Sequence, residues 1–386
     1  MKPELRVGII GGGAAGLYLG SKLAKEGVDV KVYEEHPHIG VPDHCAGLIS
    51  PPTLSISGVT SRVVRAELRG VKIGIPNKIE VVHTGETMRA VVIDREKFDM
   101  ELARRLSAYG GEISLSSEAS VEREGGRVFV GRRGRREEFD FVVDSGGSKS
   151  YLGRVGDNAG VLPALQMDVA SSDHDPGIAE IWVDKTKNTD LFFWCIPIEK
   201  DTVRIGTASR HTRLAETLTE FAAWRFGEIV EMGRLPGLVL LSGHIDRFVE
   251  GKVLYVGDAA GQTKPTTGGG LRYGLSGASE AAEAILGNFK GEKPLTSYEE
   301  NWMGRWGREV SVQRLARKIF LSLDEKTMLK LLRLVKEENL LPLLVERGDM
   351  DGHSSLISLL VKNRKILQFG LRVLGGMLRE MIYIDE

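Results

Sequence analysis

The chain has 386 residues, enough for two or three domains with substantial cores, and a formal net charge of −1, which excludes a global field that would attract nucleic acid. Its two cysteines are too few for a disulfide framework and fit a reducing compartment. It has no run of about 20 apolar residues, so no segment is expected to span a bilayer.

Residues 7–16 read VGIIGGGAAG. Val7, Ile9 and Ile10 predict a strand, and Gly11, Gly13 and Gly16 follow at GxGxxG spacing. A helix is expected from Ala14 and Ala15, because Leu17, Leu19, Leu23 and Ala24 share one side. In such a strand–turn–helix the glycines permit the turn and the approach of a pyrophosphate, and the helix N-terminus faces the phosphates. The glycines interrupt the apolar run, so this segment is expected to be structural rather than a signal peptide. A second strand over 28–33 ends at Glu34, 23 positions after Gly11, near the spacing of a ribose-binding carboxylate.

Residues 35–52, EHPHIGVPDHCAGLISPP, predict a loop at the carboxyl edge of the sheet. It carries Glu35, Cys45, Ala46 and Gly47. Two readings of Cys45 stand open: a thiol beside a reacting ring, or a small buried hydrophobe. His36, His38, His44 and Cys45 lack paired-ligand spacing, so no metal site is expected. Alternating patterns over 66–84 predict antiparallel strands, 89–94 a further strand, and 95–109 a helix burying Phe98, Leu102, Ala103 and Leu106. The arginines of GRRGRREE, at a hairpin tip without aromatics, predict a solvated turn.

Residues 160–209 turn to β pattern, the expected core of an inserted antiparallel sheet. Within it Phe192 to Pro197 is the most aromatic stretch, readable as sheet core or as the wall of an apolar cavity. A helix is expected over 212–229 and a buried strand over 252–256. Then comes GDAAGQTKPTTGGGLRYGLSGA. Asp258 ends the strand and can bond a sugar-like hydroxyl chain. Gly268, Gly269 and Gly270 allow backbone to lie against a flat ring, and Leu271 opens a helix whose amides favour negative charge there.

These motifs, together with DREKFDMELARR from Asp94, resemble FAD-dependent oxidoreductases of the aromatic-hydroxylase superfamily. Within it the chain is similar to the geranylgeranyl reductase family, including archaeal digeranylgeranylglycerophospholipid reductases. HCAGLIS, PTTGGG, YEENW and the Phe192–Pro197 stretch carry that resemblance. Trp194 and Pro197 match the family's YxWxFP pattern, with Phe192 in place of tyrosine and Ile196 in place of phenylalanine. DSGG from Asp144 stands where the superfamily has ADG.

The resemblance implies FAD as cofactor, Arg95 as a cofactor contact and Cys45 as a catalytic residue close to the ring. It makes Phe192, Trp194, Ile196 and Pro197 a substrate wall for a prenylated lipid. The activity implied is saturation of isolated double bonds in geranylgeranyl chains, with NAD(P)H or ferredoxin as electron donor. The competing classes are another flavoenzyme such as a monooxygenase, and a non-catalytic prenyl-group binder.

The expected fold class is α/β: a Rossmann-like FAD-binding domain (1–155 and 245–300), an inserted antiparallel-sheet substrate domain (156–244) and C-terminal helices (301–386). Those helices mix leucines with Lys362, Arg364, Lys365, Arg372 and Arg379. They read as a cap over the sheet or as a surface for anionic lipid. The location expected is cytoplasmic, with peripheral contact at the inner face of the membrane.

Overall fold

A computed structural model describes residues 5–156 and 160–373; Arg379 lies outside these. The chain divides into two compact units, each assembled from three segments: Met1–Val64, Ile93–Val161 and Leu238–Ser311 in the first, and Arg65–Val92, Leu162–Gly237 and Val312–Glu386 in the second. This differs from the expected division in two places. Residues 65–92 group with the expected antiparallel sheet and make it mixed, because Gly70–Ile75 pairs parallel with Ile178–Trp182, and the C-terminal helices divide after Ser311.

The first unit is built on a six-stranded sheet in the order Val249–Glu250, Val253–Tyr255, Phe141–Asp144, Arg6–Ile10, Asp29–Tyr33, Glu112–Ser114. All its pairings are parallel except the one between the first two strands of that order. Val7 and Ile9 are fully buried, as are Leu17, Leu19 and Leu23 of the helix Ala14–Lys25. The helix Arg95–Ala108 starts where the sequence places it, because the Asp94 carboxylate accepts the Lys97 N–H at 3.0 Å as an N-cap.

A second, three-stranded sheet holds Ser120–Glu124, Arg127–Arg132 and Arg135–Phe139. Arg133 and Gly134 turn its hairpin, both at positive φ (45° and 75°), the backbone a two-residue hairpin loop demands.

The second unit contains a seven-stranded sheet in the order Val230–Leu240, Val161–Ala170, Thr202–Ala208, Phe193–Glu199, Ile178–Trp182, Gly70–Ile75, Ile79–Thr84. One face packs on the helix Leu214–Phe226. There Phe193 stacks on Phe221 with ring centroids 4.3 Å apart, among Met167, Cys195, Ile205 and Leu218. Helices Glu325–Glu337 and Leu340–Arg347 bury Met328, Leu332, Val335 and Leu341 against Ile75, Val81 and their neighbours. The strand Val230–Leu240 escaped the sequence reading. Its first residues are exposed, and Gly233, Pro236 and Gly237 break the alternation that marks a strand. Edge strands carry such residues to discourage further pairing.

Candidate functional site

In the first unit the three glycines of GxGxxG do different things. A Cβ on Gly11 would lie 2.4 Å from Ser145 O, and one on Gly16 2.2 Å from Gly11 O. Both are required by the turn itself. A Cβ on Gly13 would meet nothing within 4 Å, and the φ of Gly13 is an ordinary −80°. Its missing side chain therefore keeps a cradle open at the N-terminus of Ala14–Lys25, where backbone N–H groups suit a phosphate.

Ser145, of the divergent DSGG, locks the turn by donating from Oγ to Ile10 O at 2.8 Å and Gly11 O at 3.0 Å. The sequence reading missed it because a serine after a strand carries no fixed meaning without its partners.

Glu34 is buried beside the cradle. Its Oε2 accepts the Gly12 N–H at 2.7 Å, and its Oε1 accepts the His36 N–H at 2.9 Å. Glu35 is exposed and pairs with Lys149 at 2.9 Å. Next to them opens a cleft of about 390 Å³ lined by Glu35, His36, Ser116, Glu118 and Arg133. Arg133, exposed at the hairpin turn, stands at the edge of this cleft.

Cys45 lies in the loop at the carboxyl end of the sheet. The Gly47 N–H donates to its sulfur at 3.4 Å, and its own N–H donates to Asp43 Oδ1 at 3.1 Å. The Arg95 guanidinium is within hydrogen-bonding reach of that sulfur and donates to Asp99 at 2.9 Å. Burial alone would favour a neutral Arg95, but Asp99 and Cys45 reverse this and hold its pKa above the usual guanidinium range. Burial pushes the Asp99 carboxyl up, against the pull of Arg95. Arg95 Nε is buried with no hydrogen-bond partner, a donor still to be satisfied.

Asp258 combines two properties. Its side chain is reachable by solvent, yet surrounding protein desolvates it and pushes its pKa up, while Arg95 pulls it down. A carboxyl both reachable and desolvated lines an internal recess.

The PTTGGG loop folds around buried Lys264, whose carbonyl accepts from Gly268 N at 2.8 Å and whose N–H donates to Gly269 O at 3.1 Å. Cβ atoms on Gly269 and Gly270 would sit 2.6 Å from Lys264 Cε and 2.8 Å from Asp258 Oδ1. Both contacts are with side-chain ends; Gly268, at φ 75°, is the glycine whose backbone the loop itself requires. The helix Leu271–Phe289 starts directly after Gly270.

The open cradle at Gly13, the unsatisfied Arg95 Nε and the recessed Asp258 fit a dinucleotide cofactor with a polar chain and a ring. Ala14, Ala15 and Leu271 stand at the two helix starts that flank it in sequence. Ala46 and Gly47 follow Cys45, and the Gly47 N–H is the backbone donor to its sulfur.

In the second unit the Phe192–Pro197 stretch alternates as a strand must. Phe193 and Cys195 enter the core under Leu214–Phe226. Trp194 and Ile196 turn to the opposite face, opposite Gly206 and Arg204 in register. A Cβ on Gly206 would lie 2.4 Å from the Trp194 ring, so this glycine makes room for the indole. Trp194 Nε1 is buried without a partner. Phe192 meets the Trp194 ring edge-on at 6.5 Å and packs beside Ile75, Leu323 and Met328. Ile196, only 3% exposed, is more enclosed than a wall residue would be. Pro197 is buried as well.

The chain matches known proteins over nearly their whole length. The chain is 29% identical to digeranylgeranylglycerophospholipid reductase 2 of Methanothermobacter thermautotrophicus, covering 86% of this chain and 92% of that one. It is 27% identical to digeranylgeranylglycerophospholipid reductase of Methanosarcina acetivorans, covering 97% of each. The structure of a geranylgeranyl bacteriochlorophyll reductase-like protein from Thermoplasma acidophilum superposes with a TM-score of 0.82 at 20% identity, over 96% of this chain and 100% of that one. The resemblance carried by HCAGLIS, PTTGGG and the tryptophan stretch therefore extends to whole chains. The model of the lycopene cyclase protein family matches residues 7–340, and the chain belongs to that family.

Proposed function

We propose that this protein is an FAD-dependent reductase that saturates isolated double bonds of geranylgeranyl chains in isoprenoid lipids. The observation that carries the reading is full-length similarity to the digeranylgeranylglycerophospholipid reductases, together with a Gly13 cradle built for a pyrophosphate. Bound FAD supplies the hydride chemistry; the chain supplies binding, orientation and a proton. Gly13 and the amides of Ala14 and Ala15 hold the pyrophosphate. Glu34 stiffens the loop through Gly12 N–H and would be the acceptor for the ribose, with Glu35 at the rim of the adjoining cleft. Asp258 and Arg95 offer an acceptor and a donor to the polar chain and ring, beside Gly268 to Leu271.

Cys45 Sγ, oriented by Gly47 N–H and Arg95, gives its proton to the alkene carbon next to the one that takes the hydride, forming the second C–H bond and leaving a thiolate that solvent reprotonates between turnovers, with Ala46 and Gly47 holding the loop. The Phe192, Trp194 and Ile196 face, with Pro197, excludes water from the prenyl chain. Electrons come from NAD(P)H or ferredoxin. The exposed Leu367 and Leu371, near exposed Lys362 and Arg364, support peripheral contact with anionic lipid. Among the described residues no helix is long and apolar enough to cross a membrane.

The family's name makes cyclisation a second reading, and the two differ in product mass. Purified protein reconstituted with FAD, reduced with dithionite and given geranylgeranyl phosphate should add two hydrogens per double bond. An isomer of unchanged mass would favour cyclisation, and a gain of one oxygen a monooxygenase.

A further inference from the structure

Two cations not used in the proposed reduction hold the loop that delivers the chain to Phe192, one from the loop itself and one from a helix against it. Lys185 is 9% exposed. Its Nζ donates to Thr189 O at 3.1 Å and Phe320 O at 2.9 Å, and sits 3.7 Å from the Phe320 ring centroid. Arg317, half-buried on the helix Ser297–Ser322, donates to Asp190 O at 3.2 Å. The two cations therefore grip consecutive carbonyls, two residues before the aromatic strand. Phe320 also packs with Phe192 and Ile319 in one apolar cluster.

Neither cation forms an ion pair among the described residues. The carboxylate facing them, Asp190, is already engaged: its Oδ2 accepts from Ser209 Oγ at 2.8 Å and Arg210 N at 2.9 Å, and His211 lies 3.9 Å from its Oδ1. Like charges crowded out of water are costly unless an anion joins them. Burial pushes the Lys185 ammonium down to about 8, with Arg317 adding to the shift and Asp190 opposing it, and burial lowers Arg317 as well. Arg317 uses one of its five N–H donors in that hydrogen bond. Two cations with unspent donors beside an aromatic wall match a phosphate joined to a hydrocarbon chain.

We propose that Lys185 and Arg317 bind the phosphate head group of the prenyl lipid and set the preference for a phosphorylated over an uncharged substrate. The inference rests on the reductase reading for its lipid, and its test reads binding apart from turnover. The full-length FAD-loaded protein is melted with geranylgeranyl phosphate, geranylgeraniol or inorganic phosphate at equal concentration. The prenyl phosphate should raise the Tm most, and Lys185→Met or Arg317→Met should abolish its advantage over the alcohol.

In turnover, each variant should lower the phosphate-to-alcohol ratio of kcat/KM by about tenfold or more, the scale of a lost charge-assisted hydrogen bond. Lys185→Arg and Arg317→Lys keep the charge and should keep the preference, which separates charge from folding. An unchanged ratio in both methionine variants overturns the proposal. So does an equal Tm rise from inorganic phosphate alone, which would assign the site to free phosphate. Binding that depends on Lys185 and Arg317, with neither substrate reduced, would support the site and sink the reductase reading.

Discussion

Gly13 separates what the fold needs from what the ligand needs. Because a side chain there meets open space at an ordinary φ, Gly13→Val should lower the stability of the FAD-free protein by no more than about 1 kcal/mol, the scale of an N-cap change. It should abolish retention of FAD, read as loss of yellow colour after gel filtration. Retained flavin would mean that the pyrophosphate lies elsewhere. Gly16→Ala, by contrast, drives a methyl against Gly11 O and should unfold the turn.

Cys45→Ala should keep FAD and lose about 10²- to 10⁴-fold in turnover, the usual weight of a positioned proton donor. Wild-type turnover would reduce the thiol to packing. The sequence left this residue open between two readings. Its neighbours Arg95 and Gly47 N–H are polar, so the structure disfavours the plain hydrophobe. That distinction was illegible in sequence, because Arg95 reaches Cys45 only through the fold.

Alternation along Phe193–Glu199 was legible, and with it the two faces of the strand. Phe193→Ala should cost about 3–5 kcal/mol in urea melts, since it removes a ring stacked in a closed core. Ile196, on the face opposite Phe193, is itself enclosed at 3% exposure. Ile196→Trp should cost about 1–3 kcal/mol of stability in addition to impairing long prenyl chains more than short ones. Equal loss on both chain lengths would remove Ile196 from the wall.

The same sheet ties its helix by charge. Glu180, 4% exposed, accepts two Arg225 N–H bonds, each at 2.7 Å, and lies 3.3 Å from Lys72. Burial raises the carboxyl's pKa, but Arg225 outweighs it, so the folded value lies below the ordinary range. This stabilisation is complete above the unfolded pKa of about 4.3 and is lost as pH falls through the lower folded value. Glu180→Gln should cost about 3–5 kcal/mol at neutral pH, and its deficit should narrow in acid. A deficit independent of pH would show that packing rather than charge is at stake.

At the scale of the molecule, the nucleotide-binding half was legible because its chemistry is local: a strand, a glycine turn and a helix within residues 6–25. The boundaries were not. Each unit gathers three separated segments, and no local pattern says that residues 65–92 join a sheet whose other strands begin at Val161. The edge strand Val230–Leu240 and the cation pair at Lys185 and Arg317 were hidden for the same reason, since their partners lie far along the chain.

Saturation of the prenyl chain can be measured directly. The protein is expressed in a host supplied with a pathway to geranylgeranyl lipids, and extracted lipids are weighed by mass spectrometry against a Cys45→Ala control. A reductase yields a ladder of lipids heavier by two hydrogens per double bond, strongly reduced in the control. Lipids of unchanged mass, in cells that contain the flavin-loaded protein and a working electron donor, would contradict it.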